Sequence, residues 1–302
     1  MKRLLDCTAS DFKTMTGQEL KQAVKASEGR VMLSENMSTV PPLYPNVTNS
    51  ELAAAFGADL LLLNVFDVFN PEVKGCGRED IVNQVKHLTG RPVGINLEPA
   101  DQEAGASEPL ETLTPGRTAT EASLREAKHL GFDFICLTGN PKTGVTNDKT
   151  AAAIQKARAV FGSEGLIIAG KMHGAGVRSE SGSSIITEDD IDRFTSAGAD
   201  IILMPAPGTV PGITMDQTVK YVQYAQSKGA LVMLTIGTSQ EGADEATIRQ
   251  IALNAKMAGA DIHHIGDAGF YGIAVPENIF TYSIAIRGRR HTFSRMAASI
   301  NR

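Results

Sequence analysis

The 302-residue sequence has few cysteines, no long apolar run and little net charge. Its three cysteines are odd in number and widely spaced, which favours reduced thiols over a disulfide scaffold. No apolar stretch approaches the ~20 residues that cross a bilayer, and the start has no signal-type apolar core, so we expect a cytoplasmic protein without a membrane partner. The formal net charge of -5 is spread along the chain and gives no nucleic-acid footprint.

Three common enzyme patterns are also missing. The sequence has no clustered His and Cys spacing typical of zinc and no Gly-x-Ser-x-Gly turn, which disfavours a zinc hydrolase or a serine esterase. The first apolar run leads into Ser34-Glu35-Asn36 instead of a Gly-x-Gly-x-x-Gly turn. This disfavours an open, doubly wound nucleotide-binding sheet.

What the sequence does contain is a repeat. Eight glycines end helix-like stretches and precede apolar runs, at intervals of 28 to 41 residues. Because glycine enters the left-handed conformation without steric cost, each one marks a return from a helix to a buried strand. The glycines are Gly29, Gly57, Gly90, Gly131, Gly165, Gly198, Gly229 and Gly259.

Four of these returns are near copies, in which the glycine is followed by a small or aromatic residue and an aspartate, namely Asp59, Asp133, Asp200 and Asp261. Strands that are apolar on both faces need helices on both sides, as in parallel sheets. Eight such units predict an α/β fold of the TIM (β/α)8 barrel class. We predict one domain over residues 1–302, with a short N-terminal helical extension at 1–29 and the barrel at 30–302.

The alignment of the four copies predicts which side chains face the barrel interior. Asn64, Thr138 and Gly266 share one offset, and His264 lies two residues before it. Since side chains alternate along a strand, His264 is predicted to point inward beneath the barrel mouth and His263 outward toward the helices. Strands are predicted at 30–35, 60–64, 92–97, 134–138, 166–171, 201–204, 231–235 and 262–266.

The extension carries its own helix signal. Thr16-Gly17-Gln18-Glu19 has the spacing of a capping box and opens an amphipathic segment. We predict a helix there that lies across the barrel floor.

Polar residues at the carboxyl ends of the strands are the candidate catalytic groups, because TIM-barrel chemistry occurs at that end. Strand five ends at Lys171 and His173, and strand three ends at Asn96 and Glu98. A lysine inside a barrel mouth must pair, bind an anion or act as a nucleophile. Lys171, Glu98 and His173 are therefore the predicted catalytic residues, and we expect Lys171 and Glu98 to face a common central funnel.

Three chemistries fit these residue types. Lys171 could form a Schiff base with a substrate carbonyl while Glu98 or His173 moves protons. Alternatively, Glu35, Asp67 and Glu98, with His173 as a further ligand, could hold Mg or Mn beside an enolate or a phosphate. Lys171 would then bind substrate charge. In the third, Lys171 and Glu98 form a buried ion pair in a barrel that binds a ligand without turnover.

A phosphate site is predicted at the loops after strands seven and eight, where TIM barrels often bind phosphate. The loops offer close backbone approach and hydroxyl donors at Gly237, Thr238, Ser239, Gly266 and Gly269. Asp267 counts against a dianion there and could serve as a base instead.

Two loops are long enough to move. The loop after strand five contains Arg178 and small residues, which is typical of a lid that brings a cation over an anionic substrate. The loop from Pro99 to Thr120 is acidic and is either functional or only disordered. The predicted substrate-binding residues are Asn64, Asn96, Thr138, Asn140, Arg178 and His264.

The segments LLDCTASDF, LSENM, AAAFGADLLLLNVFD, GKMHGAG and HHIGDAGF are similar to those of an uncharacterised bacterial TIM-barrel family. Its members are loosely labelled haloacid dehalogenase-like hydrolases or phosphonomutase-like proteins. The first label implies an Asp-x-Asp nucleophile, but Phe69 stands where the second aspartate is needed after Asp67. The second implies magnesium beside an enolate, although the paired aspartates usual in the second βα loop are not evident.

From these observations we expect a lyase or isomerase of the aldolase type that acts on a small, phosphorylated carbonyl metabolite. A Mg-dependent enzyme similar to phosphonomutase and isocitrate lyase, or a non-catalytic ligand-binding barrel, are the alternatives. The partner is a small molecule and not a nucleic acid or a membrane, and a homo-oligomer is left open.

Overall fold

The computed structural model describes residues 2–106 and 108–302, and within them eight parallel strands close into a barrel. Each strand pairs with the next, and the first pairs with the last, where Val31 lies opposite Ile262. The strands are β1 Val31–Met37, β2 Leu60–Asn64, β3 Val93–Leu97, β4 Phe134–Leu137, β5 Ile167–Gly170, β6 Ile201–Pro205, β7 Leu231–Ile236 and β8 Ile262–Ile265. The predicted TIM (β/α)8 fold with a short helical extension is confirmed. Met1 and Ser107, which belong to the predicted domain, lie outside the described residues.

Helices precede the barrel, alternate with its strands and follow the last one. In the described chain they are α1 Ala9–Phe12, α2 Gly17–Lys25, α3 Asn49–Ala55, α4 Ile81–Thr89, α5 Glu121–His129, α6 Asn147–Phe161, α7 Glu188–Ala197, α8 Met215–Ser227, α9 Glu245–Ala258 and α10 Pro276–Ala297. Gly288, with φ of 72°, interrupts α10 and divides it into two helical segments. None of these helices combines the length and the apolarity needed to cross a membrane.

Strand bounds differ from the prediction at two places that matter for the site. Strand β1 continues to Met37, because Asn36 bridges Ile273 and the Met37 N–H donates to Gly272 O, 2.9 Å, in the loop after β8. Strand β5 ends at Gly170, so Lys171 belongs to the loop and not to the strand.

The apolar core has two parts. Side chains such as Leu33, Leu62 and Leu203 fill the barrel interior, whereas Leu61, Leu63 and others of the opposite parity pack between the barrel and its helices. The strands are buried on both faces, which is why their sequences are continuously apolar.

The four repeated aspartates have a structural role at the barrel floor. Each carboxylate accepts a backbone N–H from the start of the preceding strand: Met32 N to Asp59, 2.8 Å, Val93 N to Asp133, 2.7 Å, Ile167 N to Asp200, 3.0 Å, and Val232 N to Asp261, 2.9 Å. In every case the aspartate N–H also donates to the carbonyl of the same residue. The repeat therefore clips adjacent strands together at the end opposite the mouth.

The N-terminal extension closes this floor, as predicted. Thr16 caps α2 by accepting the Glu19 N–H, 3.2 Å, and the Glu19 carboxylate reciprocates. Leu20 and Val24 of α2 are buried in the cluster that fills the barrel interior. The last helix is tied to the same end, because Arg295 donates to Leu4 O, 2.6 Å.

Candidate active site at the barrel mouth

A cavity of about 320 Å³ opens at the carboxyl ends of the strands. Nine of the residues predicted from sequence line it: Glu35, Asn64, Asn96, Thr138, Asn140, His173, Thr238, Ser239 and Gly266. Asp267, which the sequence analysis offers as a base, and Glu241, which it does not name, line the cavity as well. Polar side chains are thus gathered around the cavity, and Glu35, Glu241 and Asp267 bring carboxyl groups to its walls.

Glu35 and His264 form a buried pair at the base of the mouth. Glu35 Oε2 lies 3.0 Å from His264 Nε2, and both side chains are almost completely buried. Asn96 Nδ2 donates to the other Glu35 oxygen. Burial raises the pKa of Glu35 to about 8 and lowers the pKa of His264 to about 4, so that both groups are neutral near pH 7. The Glu35 proton is then shared with Nε2, and His264 Nδ1 carries the ring proton.

A chain of amide groups connects Asp267 to the opposite wall. Asn64 Nδ2 donates to Asp267 Oδ2, 2.8 Å, and to Asn140 Oδ1, 2.8 Å, and Asn140 Nδ2 donates back to Asn64 Oδ1, 3.0 Å. Burial and the nearby Glu35 raise the pKa of Asp267 to about 7 despite the Asn64 hydrogen bond. Asp267 can therefore exchange a proton at neutral pH.

Glu241 is the third carboxyl group. It is only 2% exposed, and its Oε2 has no hydrogen-bond partner among residues 2–106 and 108–302. Burial, followed by the proximity of Asp267 and Glu35, raises the pKa of Glu241 to about 7. His264 Nδ1 also has no partner in the described part of the chain.

Two hydrogen-bonding atoms on the other walls are also unpartnered. Asn96 Oδ1 and Thr138 Oγ1 are buried and bond to no described group. His173 Nδ1 accepts the Ala175 N–H, 3.0 Å, which leaves its proton on Nε2. Since unsatisfied buried polar atoms are costly, these groups are suited to a polar ligand.

The structure places Lys171 outside the mouth, which corrects the prediction that it faces a common funnel with Glu98. Ile168 and Met172 face the barrel interior, whereas Lys171 follows the outward parity of Ala169. Its ammonium pairs with Glu180 and donates to Val145 O, 3.3 Å. Burial lowers the pKa of Lys171 although Glu180 acts in the opposite direction. The pair fastens the loop after β5 to the start of α6, where Glu180 also accepts the Asn147 N–H, 2.9 Å.

Glu98 lies beside the mouth without lining its cavity. One oxygen accepts from Arg117, 2.5 Å, and the other accepts the Asn140 N–H, 2.9 Å. The carboxylate is thus engaged in holding Asn140 in place. The geometry gives Glu98 a positioning role.

The predicted phosphate site coincides with the Glu241 carboxyl group. A Cβ at Gly266 would overlap Glu241 Oε1, and Gly269 packs against the Glu241 backbone. The Thr238 hydroxyl donates to Gly237 O, 2.6 Å. Because Asp267 and Glu241 both face this space, it is unfavourable for a phosphate dianion.

The predicted metal donors do not converge. Asp67 accepts the N–H groups of Phe69, 2.9 Å, and Asn70, 3.2 Å, and so caps a turn outside the cavity. Glu98 is paired with Arg117, and Glu35 with His264. Within the described ranges no group of three or more His, Cys, Asp or Glu side chains has the geometry to hold a metal ion. The residues present therefore do not fit the predicted magnesium or manganese set.

The loops after β3, β4 and β5 are joined by main-chain hydrogen bonds. Arg178 N donates to Gly105 O, 3.1 Å, and Gly144 N donates to Ala175 O, 3.0 Å. The exposed Arg178 side chain does not line the cavity. Within these loops, Lys142 pairs with Glu108 at 2.9 Å, and both residues line the cavity.

Glu241 was missed because it belongs to a 3₁₀ turn, Gln240–Gly242, past the end of β7, where strand alternation no longer indicates the direction of a side chain. One local signal accompanies it. The two preceding residues, Thr238 and Ser239, have φ of 62° and 69°, and such left-handed residues are concentrated at functional sites. That signal lies in the backbone and not in the sequence.

Several solved structures are similar in fold to this chain. A pyruvate carboxylase variant from Rhizobium etli, with the allosteric activator acetyl coenzyme A, is 13% identical with a TM-score of 0.52, over 96% of this chain and 29% of that chain. A putative lyase/mutase from Burkholderia cenocepacia J2315 is 18% identical with a TM-score of 0.45, over 80% of each chain. A 2,3-dimethylmalate lyase, a PEP mutase/isocitrate lyase superfamily member, is 13% identical with a TM-score of 0.49, over 83% of this chain and 81% of that chain. Identities this low show the fold alone.

The haloacid dehalogenase-like label finds no support in these comparisons. No curated protein matches the sequence. A family model described as "Domain of unknown function (DUF7916)" matches residues 5–302. Because this match spans nearly the whole chain, the protein belongs to the DUF7916 family.

Proposed function

We propose that the barrel mouth catalyses proton transfer on a small carbonyl or hydroxy metabolite, as a lyase or isomerase. The observation that carries this proposal is the set of three carboxyl groups around one cavity, the buried Glu35 and Glu241 and the half-buried Asp267. Their pKa values of about 7 to 8 suit general acid and base work at neutral pH. A cavity of this size accepts a small metabolite.

Glu35 and Asp267 differ in protonation state near pH 7, and this difference assigns their roles. Glu35, with the highest of these pKa values, stays protonated near pH 7 and acts as the acid through its pair with His264. Asp267 is partly ionised at this pH and acts as the base, with Asn64 fixing its orientation. The Nε2–H of His173 is placed to donate to a substrate oxygen, and the unpartnered Asn96 Oδ1 is placed to accept from a substrate hydroxyl.

Glu241 supports the same chemistry from the other side. Its unpartnered oxygen lies in the cavity wall, and its raised pKa lets it take a proton that Asp267 or the substrate gives up. Lys171 has no part in the proposal, because it is paired with Glu180 away from the cavity. No step is assigned to a metal, since the predicted donors do not converge.

A two-stage experiment tests the proposal. Thermal shift with a panel of keto acids, hydroxy acids and phosphorylated sugars, with and without magnesium, identifies ligands of the wild-type protein. Proton NMR in D2O then follows exchange of the C–H next to the carbonyl of each ligand. We expect wash-in of deuterium or formation of product with wild type, and a loss of about 10²–10⁴-fold in Asp267→Asn.

Asp216→Asn is the matched control, because Asp216 is exposed in the first turn of α8. It should exchange the ligand at the wild-type rate. If a ligand binds the wild type tightly but neither exchange nor product follows, the barrel is a non-catalytic binding protein and the proposal fails.

A further inference from the structure

A second cavity, of about 300 Å³, lies at the barrel floor, at the opposite end from the mouth. Its walls come from α1, the end of α4, the start of β3 and the C-terminal tail. Ala9, Phe12, Pro92 and Ile300 supply apolar surface. The cavity is open to solvent between the two termini, and its size is that of a small-ligand pocket.

The polar lining of this floor cavity is predominantly basic. Lys13, Lys86, His87 and Arg91 line it, and the carboxylate among its walls, Asp133, is paired with Lys86 at 2.7 Å. No described carboxylate lies within 4.0 Å of a Lys13 or Arg91 nitrogen. The cavity therefore has cationic groups in excess of the anionic ones.

Arg91 is the most important residue of this lining. The residue is 95% buried, and its guanidinium group has only carbonyl partners. Its guanidinium donates to Ala58 O, 3.0 Å, Arg295 O, 2.8 Å, and Gly90 O, 3.3 Å. A guanidinium has five N–H donors, so two remain without a partner in the part of the chain described. Carbonyl oxygens orient the guanidinium group but do not neutralise its charge.

The surroundings add to this positive charge. Arg287 and Arg295 are also buried near Arg91, and the three guanidinium groups share a single carboxylate, that of Asp59. Burying a cation without its counter-charge is costly. An anion in the adjacent cavity would offset that cost.

We propose that the floor cavity is a second binding site, for a small organic anion with one carboxylate or one phosphate monoester group on a short apolar body. The anionic group lies against Arg91 and Lys13, and the apolar body lies against Phe12, Pro92 and Ile300. A guanidinium recognises both anion types through its planar N–H donors. The site lies at the other end of the barrel from the proposed chemistry and does not depend on it.

Isothermal titration calorimetry with hexanoate, phenyl phosphate, inorganic phosphate and hexanol tests this site. We expect saturable one-site binding of hexanoate or phenyl phosphate and none of hexanol. The stronger of the two anions identifies whether a carboxylate or a phosphate ester is the natural group. Stronger binding of inorganic phosphate than of either organic anion would overturn the role of the apolar wall.

Variants locate the binding. Lys13 is exposed, so Lys13→Glu should fold normally and weaken binding about tenfold, because a favourable charge becomes an unfavourable one. Lys156→Glu on α6, an exposed lysine with the same change of charge, is the matched control and should stay within about twofold. The ring resonances of His87, identified with a His87→Gln variant, should shift on titration. Equal affinities for the two lysine variants, an unmoved His87 signal, or no saturable anion binding by the wild type would each overturn the proposal.

Discussion

The two ends of the barrel bury acidic side chains under opposite electrostatic conditions. At the floor, Asp59 accepts from two arginines, and Asp200 is paired with Lys21 and Arg158. At the mouth, Glu35 and Asp267 have amide or imidazole partners. Asp59 and Asp200 thus form ion pairs that stabilise the fold, whereas Glu35 and Asp267 hold protons that they can release near neutral pH.

The pKa of Asp200 differs in this way from those of Asp267 and Glu241. Burial raises the pKa of Asp200. The hydrogen bonds from the Ile167 N–H and Gln18 and the neighbouring cations lower this pKa by more, so the net shift is downward. Asp267 and Glu241 experience burial and like charge, and their pKa values rise to about 7. At Asp200 the hydrogen bonds and cations outweigh burial, whereas at Asp267 and Glu241 like charge adds to the effect of burial.

The largest effect is expected from Asp59→Asn. This change leaves Arg287 and Arg295 buried with no anionic partner and should lower the free energy of unfolding by about 3–5 kcal/mol. Urea denaturation monitored by circular dichroism measures it. Asp261→Asn is the matched variant, since Asp261 makes the same strand clip with Gln226 as its side-chain partner, and should cost about 1 kcal/mol. Similar losses in both variants would show that the clip, and not the ion pairs, provides the stability.

The second prediction concerns activity at the mouth. The rate constant kcat/KM should rise with pH as Asp267 loses its proton near pH 7 and fall as Glu35 loses its proton near pH 8. Glu35→Gln should lower the rate about 10²–10⁴-fold at neutral pH, because the acid is lost. A profile that is flat between pH 6 and 9 with the substrate identified above would contradict these roles.

The third prediction is a gain in stability from Glu241→Gln. The pKa of Glu241 is higher in the folded state than in the unfolded state, so unfolding releases a proton, and stability falls as pH rises from about 4.5 to 7. Replacing the carboxyl group removes this penalty and should add about 1–3 kcal/mol at pH 8 but little at pH 4.5.

Urea denaturation of Glu241→Gln at both pH values measures the gain. Glu103→Gln, on an exposed loop, is the control and should change little at either pH. A lower stability of Glu241→Gln at pH 8 would contradict the prediction, because the ionised Glu241 would then stabilise the folded state.

The smallest effect is expected from Lys171→Met. The loop after β5 loses its ion pair, but Glu180 keeps its hydrogen bonds to the start of α6, so we expect a cost of about 1–2 kcal/mol. Borohydride reduction with any carbonyl ligand should trap no adduct on Lys171, by mass spectrometry of the wild type. A trapped adduct at this position would restore the Schiff-base mechanism.

Much of the architecture could be predicted from sequence. The glycines at helix ends and the strands that are apolar on both faces are local signals. The capping box at Thr16 likewise marks the start of α2. The inward direction of His264 and the outward direction of His263, which lies 3.0 Å from Gly29 O, followed from the alignment of the four copies. Asn64, Thr138 and Gly266 follow from the same alignment, and all three line the cavity.

The direction of Lys171 could not be predicted in that way. Strand β5 is apolar on both faces, so no alternation marks its inner side, and Lys171 lies just past its end. Glu241 comes from a loop turn whose direction depends on contacts with the loop after β8. The raised pKa values could not be predicted from the sequence either, because they depend on how deeply each carboxyl group is buried.

By itself, the sequence determined the barrel, its closing extension and the carboxylates of the floor, because helix stops, strand burial and the Gly-x-Asp repeat act over a few neighbouring residues. Only the tertiary structure decided which charges meet. It paired Lys171 with Glu180, brought Glu35, Glu241 and Asp267 around one cavity, and left Arg91 facing another. The physical reason is that charge compensation and desolvation depend on neighbours far apart in the chain.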